Sequence, residues 1–198
     1  MSAKLIDIAA IVPVSEVNGP GKRAVIWVQG CPKRCASCWN PEYLVFGSKW
    51  HVSPTELFES IQDKTENFSL IEGITFSGGE PFAQSEVLAQ AASLFKEKSL
   101  TLMCYSGYTL QEIQAKGTPY TDLLEALDIL VDGEFKKDQS CNRLWHSSLN
   151  QKVHFLTDRY KSYQALINKD IREFEVVLSP NEIRMTGFPE LDLLRNLK

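Results

Sequence analysis

The stretch "GITFSGGEPFAQSEVLAQAASLFKEKSLTLMCYSGY", Gly73 to Tyr108, contains a short apolar strand ending in glycines, an amphipathic helix and a second apolar strand. "GITFSGG" and "LTLMCYSGY" are apolar runs of strand length, and "AQSEVLAQAASLFKEK" between them places its apolar residues three and four apart, the helical period. The same alternation extends in both directions. Upstream, "KLIDIAAIV" and "AVIWVQ" read as strands, and "SPTELFESIQDKTEN" as a helix opened by a Ser53 to Glu56 capping box with Pro54 at its first position. Downstream, "TLQEIQAK" and "YTDLLEAL" have helical spacing, and "LDILVDG" is a further short strand. Strands alternating with helices predict βα units around a parallel sheet, an α/β fold. The last part differs: "EFEVVLSPNEIRMTGF" has two alternating runs around "SPNE", the pattern of a β-hairpin added after the α/β core. The expected organisation is a core over 1–156 and an extension over 157–198 packed on the same domain.

A chain of 198 residues with 43% hydrophobic and 10% aromatic residues can bury one good core. The apolar run "LIDIAAIVPV" is interrupted by Asp7 and Pro13, so it reads as neither a signal sequence nor a membrane span, and a cytoplasmic protein with no membrane partner is expected. A net charge of -4 argues against nucleic acid as a partner, because phosphate neutralisation needs a basic excess.

Three of the five cysteines, Cys31, Cys35 and Cys38, crowd into "VQGCPKRCASCWNPE", Val28 to Glu42. In a reducing compartment such a trio reads as metal or redox chemistry rather than as disulfides. Unrelated surface thiols are the simplest reading, although structural cysteines do not usually cluster with Pro, Lys and Arg. A structural zinc would need a fourth ligand, from Cys104, Cys141 or a distant histidine. An iron-sulfur cluster on three thiolates would leave one iron free to bind a substrate directly. Cys104, inside the apolar "LTLMCY", reads as core packing; Cys141 has no assigned role, and too few thiols remain for a second cluster with four thiolate ligands.

The spacing Cys31-x3-Cys35-x2-Cys38 resembles the signature of the radical S-adenosylmethionine (radical SAM) enzymes, and "GITFSGGEPF" resembles the same family's glycine-rich strand end. "VNGPGKRAVIWVQGCPKRCASCWNPE", "YSGYT" and "DILVDGEF" resemble one branch, the activating enzymes of glycyl radical enzymes, and especially the anaerobic ribonucleotide reductase activases. The resemblance spans about residues 10 to 156. It implies a partial (βα)6-type open TIM barrel and two cofactors, one [4Fe-4S] cluster and S-adenosylmethionine. Cys31, Cys35 and Cys38 would be the cluster ligands. Gly78, Gly79, Glu80, Ser106, Asp132 and Asn40 would line the cofactor site, the glycines allowing close backbone approach and Glu80 complementing the methionine ammonium. The chemistry implied is reductive cleavage of S-adenosylmethionine to a 5′-deoxyadenosyl radical that takes hydrogen from a substrate.

The substrate is less defined by sequence. "RLWHSSLNQKVHFL" resembles an Arg-Gly-Ser-Ser-Asn-Gln element of the reductase activases, but His146 replaces its Arg, Ser147 its Gly and Leu149 its second Ser, while Asn150 and Gln151 remain. His146 and His154 read as packing residues. The resemblance implies a polypeptide substrate, either a glycyl radical enzyme or a ribosomally made precursor peptide that is spliced by tyramine excision. It also implies an electron donor such as flavodoxin or ferredoxin, and leaves room for a small accessory protein. A small-molecule enzyme of the deazapurine synthase kind, against which the "VDGEF" and "NQ" blocks count, and a non-catalytic zinc or iron-sulfur module, which leaves "SGGE" and "VDGEF" unexplained, are further alternatives.

Overall fold

The computed structural model describes residues 4–47, 50–171, 173–179 and 182–187. Its elements, in chain order, begin with the strands β1 (Ile6–Ser15), β2 (Arg23–Val28) and β3 (His51–Val52), then helix α1 (Pro54–Lys64) and strand β4 (Gly73–Gly78). Helix α2 (Ser85–Glu97), strand β5 (Thr101–Ser106), helices α3 (Leu110–Lys116) and α4 (Tyr120–Ala126) and strand β6 (Ile129–Asp132) follow. The chain then runs through β7 (Ser140–Arg143), β8 (His146–Ser148), β9 (Lys152–Phe155), β10 (Phe174–Ser179) and β11 (Glu182–Gly187). Local chemistry fixes the helix starts. Ser53 Oγ accepts from the Glu56 N–H while the Glu56 carboxylate accepts from the Ser53 N–H, and Thr109 and Glu112 repeat that reciprocal cap on α3.

One mixed sheet has the order β3-β1-β2-β4-β5-β6-β9. Its centre, β2-β4-β5-β6, is parallel, as the alternation of strands and helices predicts. The flanks are not: β1 runs antiparallel to β2, β3 to β1, and β9 to β6. For β1 and β2, connection length is the reason. Residues 16–22 are all that link β1 to β2, and a parallel crossover needs a dozen residues or more. Four parallel strands therefore stand where six βα units were expected.

The four helices share one face of the sheet, where Leu57, Ile61, Leu88, Phe95, Ile113 and Leu123 close a core against β1, β2, β4, β5 and β6. β2 is buried at every position, which explains why it is a continuous apolar run rather than an alternating one. Its first residue, Arg23, is fully buried and donates to Thr75 Oγ1, Thr101 Oγ1 and the carbonyls of Pro20, Ile74 and Thr101. Burial lowers its pKa, opposed by the neighbouring Tyr160. The opposite face carries a second core of Met103, Ile129, Val131, Leu144, Trp145 and Tyr160. Tyr160 lies in a 3-10 segment, Asp158–Ala165, and its hydroxyl meets Thr101 Oγ1 at 2.9 Å, so the chain just beyond residue 156 is packed into this core. β10 and β11 pair antiparallel in a separate two-stranded sheet; Pro180 and Asn181, which join them, lie outside the described residues.

Candidate active site

The carboxyl ends of β2, β4 and β5 and the turn after β6 open on one cavity of about 440 Å³, a size suited to a cofactor-scale ligand. Cys31, Cys35 and Cys38 all line it. They follow β2 directly, on a loop tied down at both ends. Gly30 N–H donates to the Tyr43 carbonyl and Cys31 N–H to that of Leu44, while Gln29 Nε2 donates to the carbonyls of Glu42 and Val45. The far arm is held by Trp39, whose Nε1 donates to Ser147 Oγ at 3.1 Å and whose ring packs on Phe135. Between Cys31 and Cys35, Lys33 reaches Glu112 at 3.4 Å and Glu134 at 3.2 Å, and lies over the Tyr108 ring.

Burial pushes the Cys35 thiol up to about 11, reinforced by the charge of Glu134 and by Cys38 and Cys31; burial also raises Cys38, opposed by the Asn40 backbone. Raised thiols at Cys35 and Cys38 suit a cationic metal centre, which deprotonates its ligands. Among the described residues no three His, Cys, Asp or Glu side chains converge tightly enough to hold a lone metal ion. A tetrahedral zinc with Zn–S bonds of about 2.3 Å needs its sulfurs within roughly 4 Å of one another. Three thiols on one cavity match the donor set of an iron-sulfur cluster that leaves one iron without a protein ligand.

Gly78 and Gly79 line the same cavity, but the space their side chains would fill is occupied by the protein's own backbone. A Cβ on Gly78, which has φ +108°, would overlap Val28, and one on Gly79 would overlap Gly30. Gly79 N–H donates to the Val28 carbonyl and Glu80 N–H to that of Gly30. These glycines dock the end of β4 against the root of the cysteine loop, so the reason for them is this close approach as well as access for a ligand.

Glu80 has no exposed surface. Its Oε1 accepts from Phe82 N–H at 3.0 Å and Ser106 Oγ at 2.9 Å, and its Oε2 accepts from Gly107 N–H at 2.7 Å. Burial pushes its pKa up to about 7 against these donors and Lys33. A carboxylate has about four acceptor positions, so one remains, on Oε2. Ser106 lines the cavity, yet its hydroxyl donates to Glu80 and accepts from Tyr108 N–H, which makes it an orienter of Glu80. Asn40 lines the cavity beside Cys38.

Asp132 is placed differently from the sequence expectation. It does not line the cavity: its Oδ2 accepts from the first N–H of α3, at Leu110, and lies 3.0 Å from His154 Nε2, a close contact rather than an aligned hydrogen bond. Desolvation opposes ionisation, but the His154 contact and the Leu110 N–H outweigh it and hold the carboxyl below its usual range. The reason is register, since Asp132 pairs with Lys152 on β9, leaving Gly133 and Glu134 to turn into the cavity. Gln151 and Asn150 fasten that turn: Gln151 Nε2 donates to the Gly133 carbonyl and Asn150 Nδ2 to that of Glu134. His146 is buried with its pKa lowered by burial, and Cys104 is buried in the core.

Other lining residues escaped the sequence reading. Trp27, Trp39 and Trp145 are three of the chain's four tryptophans, and Met185, Thr186 and Gly187 come from β11. Spacing offered no signal for these, because they come together only through the fold.

Comparison with known proteins agrees with this geometry. The chain belongs to the 4Fe-4S single cluster domain family, which matches residues 17–154. Within that class its relatives include the anaerobic ribonucleoside-triphosphate reductase-activating proteins. The protein of that name from Escherichia coli (strain K12) is 31% identical over 155 residues, covering 73% of this chain and 95% of the relative. The one from Salmonella typhimurium is 32% identical with the same coverage. That of Enterobacteria phage T4 is 29% identical over 158 residues, covering 75% of this chain and 93% of the relative. A crystal structure of QueE from Escherichia coli aligns with a TM-score of 0.40 and 16% identity over 55% of each chain, too slight a likeness to carry an argument. The protein is an enzyme of the radical SAM kind, and its cofactors are a [4Fe-4S] cluster and S-adenosylmethionine. Among the described residues no helix is long and apolar enough to cross a membrane.

Proposed function

We propose that Cys31, Cys35 and Cys38 hold the cluster and that the protein activates a glycyl radical enzyme, of the class to which the anaerobic ribonucleoside-triphosphate reductase of its relatives belongs. One observation carries the reading: three thiols, the Gly78–Gly79 strand end and a buried carboxylate with one acceptor position left all face a single cavity. When bound, the cluster supplies one electron to the sulfonium of S-adenosylmethionine, so that a C–S bond breaks and a hydrogen atom is taken from the polypeptide. The electron comes from a small donor such as a flavodoxin or ferredoxin. The four parallel strands at the centre of the sheet support this reading, because their carboxyl ends converge on one site.

The chain's own residues bind and orient. Glu80, fixed by Phe82, Ser106 and Gly107, receives the methionine amino group at its remaining acceptor position. Trp39 and Lys33 keep the cysteine loop closed over the end of β6. Trp27, Tyr43, Tyr105 and Trp145 give the cavity aromatic walls that keep water from the reacting carbon. The test is 5′-deoxyadenosine formation by the reduced, reconstituted protein, alone and with an anaerobic ribonucleotide reductase. Slow formation alone, with a glycyl radical appearing on the added reductase, is the expected result; formation without any radical on the reductase would remove the activase reading.

A further inference from the structure

The family match ends at residue 154, yet β10 and β11 lie beyond it, and β11 reaches the cavity. The two faces of this small ladder are unlike. The inner one is fastened to the core: Glu16 N–H donates to Glu175 Oε1 at 2.7 Å, Asn18 Nδ2 donates to Thr186 Oγ1 at 2.8 Å, and Val177 packs with Ala10, Val25 and Trp27. The outer one carries every second residue of β10, Phe174, Val176 and Leu178, which are 43%, 48% and 73% exposed. Val176 stands directly opposite Met185 on β11, and residues paired this way share a face. Met185 lines the cavity. An apolar strip thus runs from open solvent into the site through one methionine.

We propose that this strip is the docking surface for an extended, apolar segment of the polypeptide substrate, next to the residue that enters the cavity. The inference rests on the proposed function, from which it takes the identity of the cavity. Exposed alternating apolar residues on a short strand are an aggregation liability unless something covers them. Continuity with the cavity selects what does. A second copy of the chain seated on this face would lie against Met185 at the cavity wall, whereas a substrate segment laid along the strip continues from it into the site. Pleat geometry matches apolar side chains at alternate positions of a bound strand to Phe174, Val176 and Leu178, and leaves the residues between them to the polar surroundings.

The test uses a fluorescein-labelled ten-residue peptide of alternating valine and lysine, titrated into full-length reconstituted protein under anaerobic conditions and followed by anisotropy. Val176→Asp/Leu178→Asp should weaken binding at least tenfold, and Val176→Thr/Leu178→Thr, which keeps strand-forming residues, should weaken it less. Neither residue lines the cavity, so 5′-deoxyadenosine formation without substrate should be the same in all three proteins. Equal binding by wild type and variants, or no binding by wild type, overturns the proposal. So does a wild-type dimer on gel filtration that the aspartate variant dissolves, which would assign the face to a second copy. If no protein forms 5′-deoxyadenosine, the proposed function fails, while the binding comparison still decides the docking surface.

Discussion

The cavity has two walls built in contrasting ways. On one side the ends of β4 and β5 are locked by backbone contact at Gly78 and Gly79 and by a buried carboxylate with three donors. On the other, among the described residues the β10–β11 ladder is held by side-chain hydrogen bonds at Glu175 and Thr186 and by the packing of Val177. The first wall cannot change without stranding buried polar groups, each costing about 1–3 kcal/mol. The second can be altered at its outer face at little cost to the fold. Fixed geometry suits the electron-transfer chemistry common to the class, and an adjustable wall suits recognition of one particular polypeptide.

The contrast is sharpest at the cysteine loop beside the rigid wall. Cys35→Ala should abolish both the cluster and 5′-deoxyadenosine formation, seen as loss of the visible iron-sulfur absorption and of product by chromatography. A variant with a full cluster and normal turnover would break the ligand assignment. At the adjustable wall, a chain ending at Ile171 lacks β10 and β11 but keeps Tyr160 in its core. It should retain the cluster and the uncoupled cleavage while losing modification of the polypeptide. Loss of the cluster in this shortened chain would merge the two walls into one unit.

Glu80→Gln should lower S-adenosylmethionine affinity about tenfold to a hundredfold, the range of charge-assisted hydrogen bonds worth about 1.5–3 kcal/mol. The neutral amide cannot serve the Gly107 N–H as the carboxylate does. Because burial sets the Glu80 pKa near 7, the ionised form is lost as pH falls through that value. Wild-type affinity should therefore weaken between pH 8 and pH 6, and the Gln variant should be weaker at pH 8 and flat across that range, read by isothermal titration.

Much of this site was legible in the sequence where chemistry is local. The cysteine spacing, the glycine pair and the Ser53 helix start depend on residues within a few positions of each other; the cysteines and glycines line one cavity, and Ser53 caps α1 as its sequence predicts. Asp132 lies off the cavity because its surroundings depend on the pairing of β6 with β9, a contact between distant segments that local sequence does not carry. The antiparallel pairing of β1 with β2 is set by the short 16–22 link rather than by the alternation of strands and helices. Met185 had no signal at all, since it reaches the cavity only through the packing of β11 on Asn18.

Two smaller effects separate structural from chemical roles. Asp132→Asn should cost about 1 kcal/mol of stability through α3 and leave S-adenosylmethionine affinity unchanged, since Asp132 lies off the cavity. With its folded pKa depressed, the wild-type contribution is present above the unfolded pKa and lost as pH falls through the folded one. Thermal melts at pH 7 and at low pH should therefore differ less between the two proteins in acid. Asn18→Ala removes the tie to Thr186 and should lower the melting temperature by only a few degrees, with a larger loss in peptide binding than in uncoupled cleavage.

The most direct measurement is iron and acid-labile sulfide on protein reconstituted without oxygen, compared with the Cys31→Ala/Cys35→Ala/Cys38→Ala variant. About four iron and four sulfide per chain in the wild type and neither in the variant is the expected result. Stoichiometric zinc without sulfide, or a full cluster in the variant, would contradict the assignment of these three thiols to a [4Fe-4S] centre.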